Sequence, residues 1–152
     1  MATQDLLQRL DTAALTTGSS DAASDRRRTE KFIAAGTIAA NALVSFDLSQ
    51  TADSDKMLKV VAADTGTATK TIALGAALSA AVAGDIVEVI VRGLATVAID
   101  GSGTTVSAGD GLVLSGTKLV KAVAGEAVVA QSVGAANITT DTTGKVYFIN
   151  RF

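Results

Sequence analysis

The 152-residue chain contains no histidine, cysteine, tryptophan or proline. Without histidine or cysteine, catalysis of the Ser-His-Asp and Cys-His kinds is excluded. Disulfide bonds and thiolate metal sites are excluded as well, and a zinc site would lack its usual ligands. We therefore expect a structural binding module that is not an enzyme and carries no cofactor or metal.

Aromatic residues make up only 3% of the chain, so its core must consist mostly of valine, isoleucine, leucine and alanine. Each buried methylene contributes roughly 0.8 kcal/mol, so an alanine-rich core gains little per residue. This favours further burial against a partner or a second copy. The net charge is −2 with both signs scattered, which gives no electrostatic footprint for nucleic acid.

The chain shows no signal for membrane insertion. Its first residues lack the basic and apolar regions of a signal peptide. The apolar stretch 72–83 is interrupted by Gly75 and Ser79 and is too short to cross a bilayer. We expect a soluble protein made in a reducing cytoplasm, with no membrane or small-molecule partner.

Composition changes near residue 31, which predicts an N-terminal arm over residues 1–30 and a β domain over residues 31–152. In the arm, Leu6, Leu7 and Leu10 recur at helical spacing and predict a short amphipathic helix. An isolated helix this short is only marginally stable in water, so we expect it to dock either on a partner or on its own domain. The arm ends in its one basic cluster, Arg26, Arg27 and Arg28, a candidate contact for an acidic protein surface or a solvated linker.

From residue 31 onward the pattern is β. In 85–92, Val87, Val89 and Val91 share one face, and the opposite face, with Ile90 between Glu88 and Arg92, is predicted to be solvated. Short strands bounded by turn residues at this spacing predict an all-β barrel or sandwich, β-tulip-like in form, rather than βαβ units. The other predicted strands are 32–34, 42–47, 56–63, 71–78, 94–99, 111–114, 118–123, 127–133 and 146–152.

One turn pattern recurs before strands: Ala-Gly followed by an acid, at 83–85, 108–110 and 124–126. Glycine tolerates positive φ, and the acid can bond nearby backbone amides. A weaker copy surrounds Asn41. The segments 39–63 and 108–124 also share an order of turn, apolar strand, polar loop and lysine-bearing strand, with Lys59 aligned to Lys121. Two related halves or merely shared composition would each explain this.

Carboxylates are the remaining candidates for chemistry. A glycosidase needs only two of them, and Asp85, Asp100, Asp110 and Glu126 are available, although a turn explains each one. The segment 101–105 lacks the lysine and following helix of a phosphate loop, which favours a hairpin loop. The loop acids Asp47, Asp53, Asp55 and Asp64 match no calcium loop and are interpreted as solvated. The aromatic C-terminal segment 146–152 is either a closing core strand or, where exposed, an interface.

The order of motifs resembles the capsid cement, or head decoration, proteins of tailed bacteriophages. The resemblance covers residues 31–133 and rests on Phe-Ile-Ala-Ala-Gly-Thr-Ile at 32–38, Asn-Ala-Leu-Val at 41–44, Ile-Ala-Leu-Gly-Ala-Ala-Leu at 72–78 and Ala-Gly-Asp-Ile-Val-Glu-Val-Ile-Val-Arg-Gly at 83–93. Family members have a small β-barrel-like domain on the outside of the head. The helical start departs from the plain extended arm of other members.

The resemblance implies a virion protein on the capsid exterior that binds the major capsid protein lattice and reinforces it, with trimers favoured. Leu6, Leu7, Leu10 and Arg26 to Arg28 would then contact the capsid. Two alternatives remain open: another structural β module of a virion or cell surface, such as a fibre, tail or adhesin segment, and a carbohydrate-active enzyme with paired carboxylates. The second alternative requires a cleft with aromatic platforms, and the chain offers few aromatics.

Overall fold

A computed structural model describes residues 27–67, 73–134 and 137–149, and the predicted helix of the arm lies outside them. The described part is all-β and barrel-forming, as predicted. The strands are β1 (Arg28–Ala34), β2 (Leu43–Phe46), β3 (Lys59–Ala62), β4 (Gly75–Ala77), β5 (Ile86–Asp100), β6 (Gly111–Ser115), β7 (Lys118–Lys121), β8 (Ala130–Ser132) and β9 (Asp141–Phe148), with one short helix, α1 (Asp53–Leu58).

The strands close into two rings that share β5. The first ring runs β1-β3-β2-β4-β5 and returns to β1, and the second runs β5-β7-β6-β8-β9 and returns to β5. We call residues 28–92 the first barrel and residues 93–148 the second barrel. Each barrel closes through one parallel pair, β1 with β3 and β5 with β7. Closure leaves neither ring with a free sheet edge.

The two barrels repeat one another in register. Val44 pairs with Ala62 and Gly75, and its counterpart Leu112 pairs with Lys121 and Ala130. Both side chains are fully buried, as are the counterparts Val60 and Leu119 and the counterparts Val89 and Val146. Of the two explanations left open by the sequence, the relation between halves is the one present in the topology and the register. The predicted lysine alignment is wrong by three residues, because Lys59 corresponds to Lys118.

Each barrel encloses its own core. The first core includes Phe32, Val44, Val60 and Val89, and the rings of Phe32 and Phe46 meet edge to face at 5.8 Å. The second core includes Val97, Ile99, Leu112, Leu119 and Phe148. These aliphatic side chains stabilise each barrel by roughly 1.5–3 kcal/mol apiece when fully buried. The prediction that 146–152 closes the core holds for Val146 and Phe148.

Strand β5 joins the two barrels. It continues through Gly93, whose φ is +106°, where the sequence predicted a break between two strands. Odd-numbered positions point inward along its whole length, so Val87, Val89 and Val91 are buried as predicted. The prediction for the opposite face fails at Ile90, which is only 4% exposed because it packs with the second core.

The region between β2 and β3 also differs from expectation. Residues 56–58, predicted to begin a strand, form the end of α1. Acidic residues in the first turn of this helix and Lys56 in the last turn favour it electrostatically. In the second barrel the corresponding strands, β6 and β7, are joined by a tight turn at Gly116, so the segment that contains α1 is an insertion in the first barrel. None of the described helices is long and apolar enough to cross a bilayer.

Candidate binding surface

Three arginines gather at the junction between the barrels. Arg28 lies opposite Arg92 across β1 and β5, and a register shift follows directly at Thr29. Arg27 precedes them, and its Nε is buried without a hydrogen-bond partner. Like charges directly opposite one another destabilise a strand pair. We call Arg27, Arg28 and Arg92 the arginine cluster.

Only one carboxylate neutralises this cluster within the described residues. Glu30 Oε1 lies 2.7 Å from Arg28 Nη2, and both side chains are well exposed. Such an exposed pair contributes about 0–1 kcal/mol. The neighbouring Glu88 instead accepts a hydrogen bond from Thr29 at 2.7 Å. The cluster therefore presents net positive charge to the surface.

Only some of the predicted contact residues lie within the described part of the chain. Arg27 and Arg28 belong to the cluster, and Arg28 begins β1 although the sequence analysis assigned it to the arm. Leu6, Leu7, Leu10 and Arg26 lie outside the described residues. The arm joins the domain at Arg27, beside Gly93, where β5 passes from one barrel to the other. The described residues therefore begin at the arginine cluster.

An apolar patch lies at the other end of β1. Ile33 and Ile86 are cross-strand partners, and Ile86 is 72% exposed. Val82, at 58% exposure, lies in the turn that leads into the same strand. Cross-strand partners share one face, so Ile33 and Ile86 form an apolar surface at this end of the first barrel.

The acids of the recurring turns have structural roles. In each turn the residue three positions before the acid donates its N–H to the carboxylate: Val82 to Asp85 at 3.0 Å, Ser107 to Asp110 at 2.8 Å and Val123 to Glu126 at 2.8 Å. The intervening glycines have φ between 88° and 95°, as the third position of a type II turn requires. The predicted role of these acids is confirmed.

Asp100 closes a related turn. Its Oδ1 accepts hydrogen bonds from the hydroxyl of Ser102 at 2.6 Å and from the Ser102 N–H at 2.8 Å. These bonds, the hydroxyl first, lower the pKa of Asp100 below its ordinary value. The segment 101–105 is not the predicted hairpin loop, because β5 and β6 are not neighbours and the chain proceeds to a bridge between Val106 and Ile138.

A charged rim surrounds this end of the second barrel. Lys118 bonds Asp141, and this bond raises the pKa of the lysine. Lys121 lies 3.0 Å from Asp110, whose pKa is lowered first by the Ser107 N–H and then by Lys121. A shallow depression of about 280 Å³ lies beside the rim, lined by Asp100, Ser102, Gly103, Thr104, Val120 and Lys121. Each of these rim carboxylates is engaged by a donor.

The acids considered for calcium are also engaged. Asp47 accepts bonds from Ser49 and Gln50, and Asp64 accepts the Gly66 N–H at 2.9 Å. Asp53 and Asp55 pair with the lysines Lys56 and Lys59. Among the described residues no three acids come close enough to hold a metal ion.

Arg92 is the binding candidate that sequence reasoning missed. The sequence placed it on a solvated strand face, where a single charge carries no signal. Its position opposite Arg28 depends on the pairing of β1 with β5, two strands that are distant in the sequence. That pairing follows from closure of the first barrel, which no local pattern specifies.

Among solved structures, the fold is similar to that of the head fiber gp8.5 N base in bacteriophage phi29, with a TM-score of 0.51. The sequences are 16% identical, and the match covers 82% of this chain and 95% of that chain. No protein-family model and no curated protein matches this chain. The likeness is one of fold, and it extends over nearly the whole of that module.

Proposed function

We propose that this protein is a structural component of a phage virion that binds the outer surface of the head and reinforces the capsid lattice as a cement protein. The observation that carries the proposal is the shared fold with a phage head fiber base over 95% of that chain. The sequence resemblance to head decoration proteins points to the same location. Neither the proposal nor the fold requires a cofactor.

The arginine cluster supplies the chemistry of attachment. A carboxylate on the capsid placed between Arg28 and Arg92 would relieve their mutual repulsion. Arginine suits this role because its planar guanidinium can bind a carboxylate through two hydrogen bonds. The arm, with Leu6, Leu7 and Leu10, would add apolar contacts at the same region. The capsid partner is therefore expected to offer acidic residues beside an apolar groove.

Weak individual contacts suffice on a repeating lattice. If several copies associate, the binding of one brings the others to neighbouring sites at high effective concentration. The overall affinity then exceeds that of each contact.

The carboxylate arrangement favours this proposal over the enzyme alternative. Asp85, Asp110 and Glu126 each bind a turn amide, and Asp100 binds Ser102. A catalytic acid and base would face a substrate cleft, whereas these groups hold the backbone of surface turns. We propose that the protein has no enzymatic activity.

Cosedimentation with isolated capsid shells tests the attachment. We expect the full chain to pellet with shells, and the double variant R28S/R92S to bind roughly five- to thirty-fold more weakly, since two exposed charge pairs contribute about 1–2 kcal/mol. The control K31S removes an exposed charge from the same strand, outside the cluster, and should bind like the parent. Equal binding by R28S/R92S and the parent would contradict the role of the cluster.

A second candidate function is the base of a head fibre, favoured by the similar structure, which is itself a head fiber base. The two candidates differ in copy number and in effect on the shell. A cement protein occupies the lattice at a fixed ratio to the capsid protein and raises the temperature at which shells open. A fibre base binds in fewer copies and leaves that temperature unchanged.

A further inference from the structure

Internal repetition gives each paired strand position of the first barrel a counterpart in the second. One face of the first barrel, made by Leu43, Ala63, Ala76 and Ile90, is covered by the second barrel. These side chains are 1–4% exposed and form one cluster with the core of the second barrel. The contact is completed by Thr65, which donates its N–H to the Gly116 carbonyl at 3.0 Å and accepts the Gly116 N–H at 2.6 Å.

The same face of the second barrel is uncovered. The counterparts of the covered residues are Gly111, Ala122, Gln131 and Tyr147, and each is half-buried or exposed. We call these four residues the open face. Val128 lies over Gly111, 2.8 Å from the position of a Cβ there, and supplies an apolar group where the first barrel has Leu43.

We propose that the open face binds the first barrel of a second copy of this chain, head to tail. The occupant follows from the internal contact, in which a barrel of this topology already covers this face. The alanine-rich core and the need for further burial are consistent with it. The contact is heterologous, joining two different surfaces, so repetition gives a ring or a filament.

Exposed apolar side chains occur where this arrangement would bring copies together. The counterpart of Thr65 is Ala124, beside Val123, which is 69% exposed. The counterpart of the Gly116 turn is the insertion that contains α1, where Met57 and Leu58 are 62% and 53% exposed. Repeating the internal contact between copies places these two groups against each other.

Cysteine cross-linking tests the arrangement, since the native chain has no cysteine. We mix L58C and A124C proteins at high concentration and add a short bis-maleimide. The head-to-tail contact predicts a cross-linked dimer in the mixture and none with either variant alone. The control A40C, at an exposed position before β2 and therefore at the opposite end of that strand from α1, should give no dimer with A124C.

Two results would overturn the proposal. One is the absence of a dimer in the mixture, and the other is equal cross-linking by A124C alone, which indicates a two-fold contact. Sedimentation of the cysteine-free protein gives an independent readout. The parent should exceed its monomer mass of 15.2 kDa at high concentration, and V123D should return to that mass with an unchanged circular dichroism spectrum. A parent that stays monomeric would also refute the contact.

This inference is independent of the proposed function. Both measurements use purified protein without capsid shells. Failure to self-associate would leave the cosedimentation result standing, and failure to bind shells would leave the cross-linking result standing.

Discussion

Two glycines in one loop provide a sharp test of the second barrel. Gly101 is buried directly after β5, and a Cβ there would lie 2.6 Å from the carbonyl carbon of Ile138 and closer still to its oxygen. That carbonyl accepts the Val106 N–H at 2.9 Å. Gly103, two residues later, is exposed, and a Cβ there would meet nothing within 4 Å.

The variant G101A should therefore be strongly destabilised. Overpacking against backbone costs about 1–3 kcal/mol, and displacing the bridge between Val106 and Ile138 weakens two backbone hydrogen bonds worth about 1 kcal/mol each. Alanine also restricts the unfolded chain more than glycine does, which stabilises the folded variant by about 0.4–1 kcal/mol. The net loss is about 2–5 kcal/mol, which lowers Tm by roughly 4–20 °C in a domain of this size.

Thermal unfolding followed by circular dichroism checks this result. The control G103A should keep the parent Tm or gain about 1–3 °C, because it receives the unfolded-state benefit without a clash. Equal Tm values for G101A and G103A would refute the close approach of Gly101 to Ile138.

Three further predictions concern the turns, the core and the rim. Gly84 has a φ of +93°, so G84A should lose about 1–2 kcal/mol of stability in urea unfolding, whereas G36A, with open space and no positive φ, should not. L112A should lose about 2–5 kcal/mol and V123A less than about 0.5 kcal/mol, because Leu112 is fully buried and Val123 is 69% exposed. Because the folded-state pKa of Asp110 is lowered from 3.8, the stability it contributes is present above that pH and lost as pH falls through its folded pKa. D110N should therefore show a shallower loss of stability on acid titration, and an unchanged slope would contradict the bonds at Asp110.

The sequence predicted the fold class because its signals are local. Alternation of valines in β5 identified a buried face, and two of the three Ala-Gly-acid turns showed where a strand begins, β5 and β6, whereas β8 begins at Ala130, four residues after the third acid. The carboxylate-to-amide bonds within these turns span only three residues. Local chemistry of this kind is readable without knowledge of the tertiary structure.

Strand pairing was not predictable in the same way. Gly93 reads as a strand break, yet closure of two barrels carries one strand through it. Ile90 reads as solvated, yet it is buried because the second barrel covers that face. The α1 segment was ambiguous because Met57 and Leu58 fit an apolar strand as well as a helix end. The differences at Gly93 and Ile90 arise from contacts between distant segments, whereas the difference at α1 is a local ambiguity.

Some binding candidates were visible in the sequence, and others depend on strand pairing. Arg27 and Arg28 stood out as part of a basic run, whereas Arg92 joined them only through pairing of β1 with β5. The open face depends on comparing two barrels whose sequences share little beyond turns. Its residues, Gln131 and Tyr147 among them, carry no pattern of their own.

The most direct test of the account is the stoichiometry of binding to empty capsid shells from a phage that encodes this chain. Purified protein is titrated against the shells, and bound copies are counted after sedimentation. The account predicts saturation at a fixed ratio to the capsid protein, together with greater resistance of the saturated shells to heat. Absence of any saturable binding by the full chain would contradict it.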